Sequence, residues 1–222
     1  MNFWQMVGSL CGGLLTSTEI FALTLLFSLP LGLCIAFGRM SKIGAVRQLF
    51  RIYISIMRGT PLMLQLFFFY FGPYYIFDIS LRKLSLFGIE YRFIAVVVGF
   101  SLNYAAYFAE IYRAGIESIP VGQYEAARVL GLDPRQTFFR VIFPQVVKRI
   151  LPPVTNEVIT LVKDTSLAFA LSVMEMFTIA KMEAAANTTM TPFMVAGVFY
   201  YIFNFAVAWA MERIEKALDY YR

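Results

Sequence analysis

The sequence predicts an all-α integral membrane protein of five transmembrane helices, with its N-terminus outside and its C-terminus in the cytoplasm. Three observations carry this prediction. The 222 residues are 59% hydrophobic, include 23 Phe and are only 15% charged, too little polar surface for a soluble domain of this size. The charges cluster between apolar runs near the roughly 20 residues that a helix needs to cross a hydrocarbon core. The longest interval between such runs contains Glu125 to Pro144, EAARVLGLDPRQTFFRVIFP, whose turn residues read as a small bent platform.

The first run spans about 10–37 and is apolar except for Glu19, with Pro30 and Gly32 placed to bend it. It lacks a basic flank and exceeds a signal-peptide core, so it reads as retained. Glu19 lies in its outer part, where a long side chain can snorkel to the interface. Gly8 and Gly12 form a GxxxG pair, a weak helix-packing signal. A basic stretch with Arg39, Lys42, Arg47, Arg51 and Arg58 leads to the second run, about 62–77, which Gln65 and Pro73 interrupt. After a mixed loop the third covers about 93–112, with Asn103 in its middle and Glu110 near its end. The fourth starts after Pro152-Pro153 and spans about 152–176; Glu157, Lys163 and Asp164 all fall inside it. A loop with Lys181 and Glu183 precedes the fifth, about 192–211, and a polar tail follows. The whole chain, 1–222, reads as one membrane domain.

Loop charge sets the orientation. The segments after runs one, three and five carry five, six and three basic residues, against three and one after runs two and four. The positive-inside bias therefore places the N-terminus outside and the platform, within about 113–150, in the cytoplasm. In the platform, Pro120 and Gly122 open a first helix over Glu125 to Leu130. Gly131 ends it as a left-handed residue, Asp133 caps a second helix, Pro134 is its first residue, and Pro144 limits it.

Several chemistries are excluded. The chain has no His, hence no Ser-His or Cys-His arrangement, and no GxxxxGK[ST] loop or GxSxG elbow. Cys11 and Cys34 lie on one helix about 35 Å apart, too far to pair there, and alone they build no zinc site. No metal and no catalytic residues are expected. Charges inside spans usually serve a pathway or a partner, which favours a transport subunit over an enzyme. A channel-like subunit not driven by ATP also fits those charges, but has no need of a platform.

The residues also carry a resemblance. Glu125-Ala126-Ala127, three residues, Gly131, nine residues and Val141-Ile142-Phe143-Pro144 closely resemble the EAA loop of ATP-binding-cassette (ABC) importer permeases. Val141 and Phe143 stand where the family usually has Ile and Leu. RGTPLMLQL (58–66), AEIYRAGIESIPVGQYEAA (109–127) and NEVITLVKDTSL (156–167) are similar to further segments of its polar amino-acid uptake branch. The resemblance runs from about residue 14 to the tail.

It implies a permease subunit in a bacterial cytoplasmic membrane that pairs with an identical or homologous permease. Two ATPase subunits that bind the ATP and Mg would sit beneath, and an extracytoplasmic binding protein would deliver a polar amino acid. This chain would bind no cofactor and no nucleic acid, and its other neighbour is membrane lipid. The coupling residues are then Glu125, Ala126, Ala127, Gly131, Asp133, Pro134 and Pro144, with Glu125 suited to a helix first turn and the two alanines to close approach. On a helix, Glu157, Thr160, Leu161 and Asp164 share one face and Lys163 points away. Glu157 and Asp164 can hold an amino acid's ammonium, and Thr165, Ser166 and Asn103 can supply donors to its carboxylate, with Lys163 a further substrate candidate. Read otherwise, these charges pair or snorkel and hold a dimer interface, and the platform is an amphipathic segment on lipid headgroups.

Overall fold

A computed structural model describes residues 3–78, 85–86 and 89–218. The loop cations Arg82 and Lys83 and the tail residue Arg222 lie outside the described residues. Among the described residues the chain is helical apart from its turns and a short antiparallel pair, β1 (Ser85–Leu86) with β2 (Ile89–Glu90). Its helices are α1 (Phe3–Arg39), α2 (Gly44–Gly59), α3 (Leu62–Phe77), α4 (Tyr91–Glu117), α5 (Val121–Val129), the single turn α6 (Pro134–Gln136), α7 (Phe143–Asp164), α8 (Met176–Asn187) and α9 (Thr191–Leu218). A π turn, Thr137–Ile142, joins α6 to α7, and a 3₁₀ segment, Thr165–Leu171, extends α7.

Among the described residues, α1, α4 and α9 are each long and apolar enough to cross a membrane, and the bent pair α2–α3 qualifies as a fourth. α7 carries Lys148, Arg149, Glu157, Lys163 and Asp164 along its length. The central packing unit is α1 on α4. Gly13, Ser17, Ile20, Thr24, Ser28, Gly32 and Ala36 form the buried stripe of α1, repeating at three- and four-residue steps as a helix face requires. Small side chains let the backbones approach closely, the usual source of helix association in lipid. At Gly32 an added Cβ would lie 2.9 Å from Phe108 Cβ and 3.1 Å from the Ala105 carbonyl oxygen, so only glycine fits.

Cross-contacts give the direction of each helix. Gly32 meets Ala105 and Phe108, and Arg39 reaches Glu110 at 3.8 Å, so α1 and α4 run parallel. Gln65 meets Asn103, and the Tyr91 hydroxyl donates to the Phe69 carbonyl, so α3 runs antiparallel to α4. Arg149 meets Ser118 and Asp164 meets Tyr104, so α7 is antiparallel to α4 as well. Thr155 with Glu215 and Glu175 with Tyr200 set α9 antiparallel to α7. The bundle therefore places residues 3 and 218 at opposite ends.

Four sequence expectations are corrected. The basic stretch before α3 folds as α2, whose Phe50, Tyr53, Ile54 and Met57 pack on Ala105, Ala106 and Ala109 of α4. The loop holding Lys181 and Glu183 is α8, and Gly13 of α1 lies against the backbone of its first residue, Met176. The helix expected to start after Pro152-Pro153 begins at Phe143 and passes both prolines without a break. Pro144 likewise does not limit the second platform helix. The π turn before it takes up the register change, and a proline in the first α-helical turn has no intrahelical N–H bond to lose.

Candidate functional site

The platform is built from local backbone chemistry. α5 covers Val121–Val129 rather than Glu125 to Leu130, which leaves Glu125 beyond the first turn and weakens its interaction with the helix dipole. Gly131 has φ +75°; its N–H donates to the Arg128 carbonyl and that of Leu132 to the Ala127 carbonyl, at 3.0 and 3.1 Å. These two bonds are the Schellman termination, and they require the left-handed residue that glycine adopts without strain. Asp133 then caps α6. Its carboxylate accepts from the Gln136 N–H at 2.8 Å, while Gln136 Oε1 accepts from the Asp133 N–H at 3.2 Å. Pro134 occupies the first helical position, and the pattern is a reciprocal capping box.

This bend stands on a firm base. Ile119, Ile142 and Val146 form a buried cluster beneath it, and Arg149 donates to the Ser118 carbonyl at 2.6 Å. Glu125 and Ala126 are exposed, but Ala127 is 2% exposed and turns into the platform. Ala127 therefore packs within the bend. The tip belongs to Val129 and Leu130, 87% and 78% exposed, which sequence reasoning missed. Two apolar residues just before a helix-ending glycine were the available signal.

The second group of residues lies where α4 and α7 face each other. A cavity of about 540 Å³ is lined by Arg58, Tyr107, Glu110, Arg149 and Glu157 among others. The Arg58 guanidinium lies 5.2 Å from the centre of the Tyr107 ring, a cation–π distance. Glu110 closes the platform end in an ion cluster, 2.6 Å from Arg113 and 3.8 Å from Arg39. Two turns further along α7, Asp164 Oδ2 accepts the Tyr104 hydroxyl at 2.7 Å. Glu157 and Asp164 are half-buried, Lys163 is exposed, and Leu161 of the expected face is fully buried.

The remaining candidates are engaged within the chain. Asn103 Nδ2 donates to the Met57 carbonyl and to Gln65 Oε1, both at 3.0 Å. Gln65 Nε2 donates in turn to the Met57 and Thr60 carbonyls, at 2.9 and 3.1 Å. This network pins the 111° bend between α2 and α3 onto α4. Thr165 is buried and donates to the Val162 carbonyl, and Ser166 donates to the Lys163 carbonyl. Local back-bonding of this kind accompanies the change from α to 3₁₀ geometry. All three side chains thus spend their donors internally. Arg58, Tyr104 and Tyr107 emerge instead, and the i, i+3 spacing of the two tyrosines beside Asn103 was the sequence signal for them. No group of three metal-ligating side chains occurs among the described residues.

A polar face between two helices, joined to a capped platform at one end of the bundle, is the arrangement to compare with known proteins. Residues 28–220 match the family model of the binding-protein-dependent transport system inner membrane component. The chain belongs to this family. The permease is 38% identical to the L-cystine transport system permease protein TcyB of Bacillus subtilis (strain 168), over 99% of this chain and 89% of that protein. It is 36% identical to the octopine transport system permease protein OccM of Rhizobium radiobacter, over 97% and 88% of the two chains. A crystal structure of an amino acid ABC transporter with histidines superposes with a TM-score of 0.84 at 28% identity, covering 98% of the permease and 99% of that chain. The inward-facing MetNI methionine ABC transporter, 20% identical with a TM-score of 0.70 and the same coverage, shares the fold. The permease is accordingly a protein of the bacterial cytoplasmic membrane.

Proposed function

We propose that the permease is the transmembrane subunit of an ATP-driven importer of polar amino acids, coupled through its EAA loop to separate ATPase subunits. One observation supports this most directly. From the Asp133 cap the chain is helical without interruption through α6, the π turn and α7 to Asp164. The second platform helix and the two carboxylates therefore belong to one lever, whose α7 part alone is about 33 Å long, and the Gly131 turn and the Asp133 cap tie α5 to its end. A push on Val129 and Leu130 reaches Glu157 and Asp164 as a rigid-body tilt.

The membrane reading follows the helix directions. α1, α2–α3, α4, α7 with its 3₁₀ extension, and α9 make five alternating passes. The loop charges put residues 45 and 135 inside and residues 85 and 185 outside. Two permeases, identical or homologous, enclose the pathway; two ATPases carrying ATP and Mg dock on the platforms, and a binding protein docks outside. The permease has no catalytic residues of its own. In the inner cavity Glu157 takes the ammonium of the substrate and Arg58 takes its carboxylate, with Asp164 as an earlier station. Asn103, Thr165 and Ser166 hold the geometry of this face.

Reconstitution of the permease with its ATPase and binding protein in vesicles tests the reading. Uptake of labelled amino acid that requires ATP inside and binding protein outside is the expected result. Flux that persists without ATP would replace it with the channel reading.

A further inference from the structure

Two cavities apart from the α4–α7 face run end to end between α1 and α4. The first, about 860 Å³, is bounded by Glu19 of α1, Glu90 and Arg92 at the start of α4, and the bend at Ser172. Leu23 and Phe93 also line the second, about 480 Å³, which continues past Phe27, Leu31 and Val98 and exposes only apolar surface. The outer cavity is charged. Arg92 Nε lies 2.5 Å from Glu90 Oε2, and another Arg92 nitrogen donates to the Ser172 carbonyl at 3.2 Å. Glu19 adds a second carboxylate from the α1 side, so among the described residues lining this cavity acid exceeds base.

Depth separates the two cavities in the same way. Arg39 follows Glu19 by twenty positions, about 30 Å of helix, which matches the hydrocarbon thickness of a bilayer. With Arg39 and Glu110 at the inner boundary, Glu19 falls at the outer one. The apolar groove from Leu23 to Leu31 then lies in the hydrocarbon.

We propose that this composite groove binds one outer-leaflet phospholipid with a zwitterionic, ammonium-bearing headgroup. An acyl chain fills the Leu23–Leu31 groove, the ammonium meets Glu19 and Glu90, and the phosphate meets Arg92. A lipid whose headgroup is only anionic meets an excess of carboxylate and is disfavoured. A free amino acid shares the headgroup chemistry but leaves the apolar groove unfilled. The leaflet assignment rests on the orientation proposed above, whereas the headgroup preference does not.

Native mass spectrometry of the intact importer, equilibrated with equal amounts of phosphatidylethanolamine and phosphatidylglycerol, tests the site. One phosphatidylethanolamine retained per permease, about tenfold over phosphatidylglycerol, is expected. Glu19→Gln brings the two lipids towards parity, and Val98→Trp, which fills the groove, removes both. Equal retention by the unaltered protein, as from a bulk lipid annulus, overturns the proposal. So does retention that neither substitution changes. Displacement of the lipid by the transported amino acid, with no effect of Val98→Trp, overturns it as well and gives the outer cavity to the substrate. Thiol labelling at residue 85 reads the leaflet independently. Access to it only from the cytoplasm would overturn the outer-leaflet assignment together with the orientation.

Discussion

The platform and the polar face sit at two levels of one helical lever, and they are held in opposite ways. The bend of the platform is fixed by bonds between residues three to five apart: Gly131 to Arg128, Leu132 to Ala127, Gln136 to Asp133. The polar face is fixed by partners far along the chain, Asn103 and Gln65 at a separation of 38 positions and Tyr104 and Asp164 at 60. A locally held element can change shape without loosening the bundle. A face held by long-range contacts cannot lose a partner so cheaply. Substitutions at the two levels should therefore separate coupling from stability.

The largest effect is expected at the platform. Gly131→Asp forces a non-glycine residue to φ +75°, at a cost of about 1–2 kcal/mol, and puts a charge at the docking surface. We expect transport and stimulation of the ATPase to fall at least about tenfold while the permease still accumulates in the membrane. Normal ATPase association and transport in this variant would show that the bend plays no part in coupling.

Next come the carboxylates. Glu157→Gln and Asp164→Asn keep shape and hydrogen bonding but remove charge. Loss of a charge-assisted contact of about 1.5–3 kcal/mol predicts transport reduced about 10- to 100-fold, with assembly and binding-protein docking intact. An effect confined to dimer stability would assign these residues to the interface. Normal transport by both variants would move the pathway away from α7.

The smallest expected effect tests the other side of the comparison. Asn103→Leu strands Gln65 Oε1 in the bundle and releases the α2–α3 bend. We expect a loss of about 1–2 kcal/mol, read as a lower melting temperature in detergent, with the amino-acid affinity of the surviving protein unchanged. A weaker substrate affinity at unaltered stability would return Asn103 to the substrate site.

The same contrast explains what the sequence could reveal. Gly131, Asp133 and Pro134 were legible because their signals act on neighbouring residues. The internal partner of Asn103 was not, because Gln65 is remote in sequence and only the packing of α3 on α4 brings it beside Asn103. α2 was masked by its arginines, although Phe50, Tyr53, Ile54 and Met57 already had helical spacing. The continuity of α7 through Pro144, Pro152 and Pro153 ran against local proline preferences. Packing overrides them, with Ile150 of α7 seated against Gly115 of α4.

The central claim is that the platform meets cytoplasmic partners at the inner end of the lever. It is tested most directly by single cysteines in a background lacking Cys11 and Cys34, which are both exposed. On intact cells a membrane-impermeant thiol reagent should label a cysteine at residue 185 and spare one at residue 135 until the membrane is opened. Labelling at 135 from outside would contradict the orientation, the docking role of the platform and the coupling through α7 together.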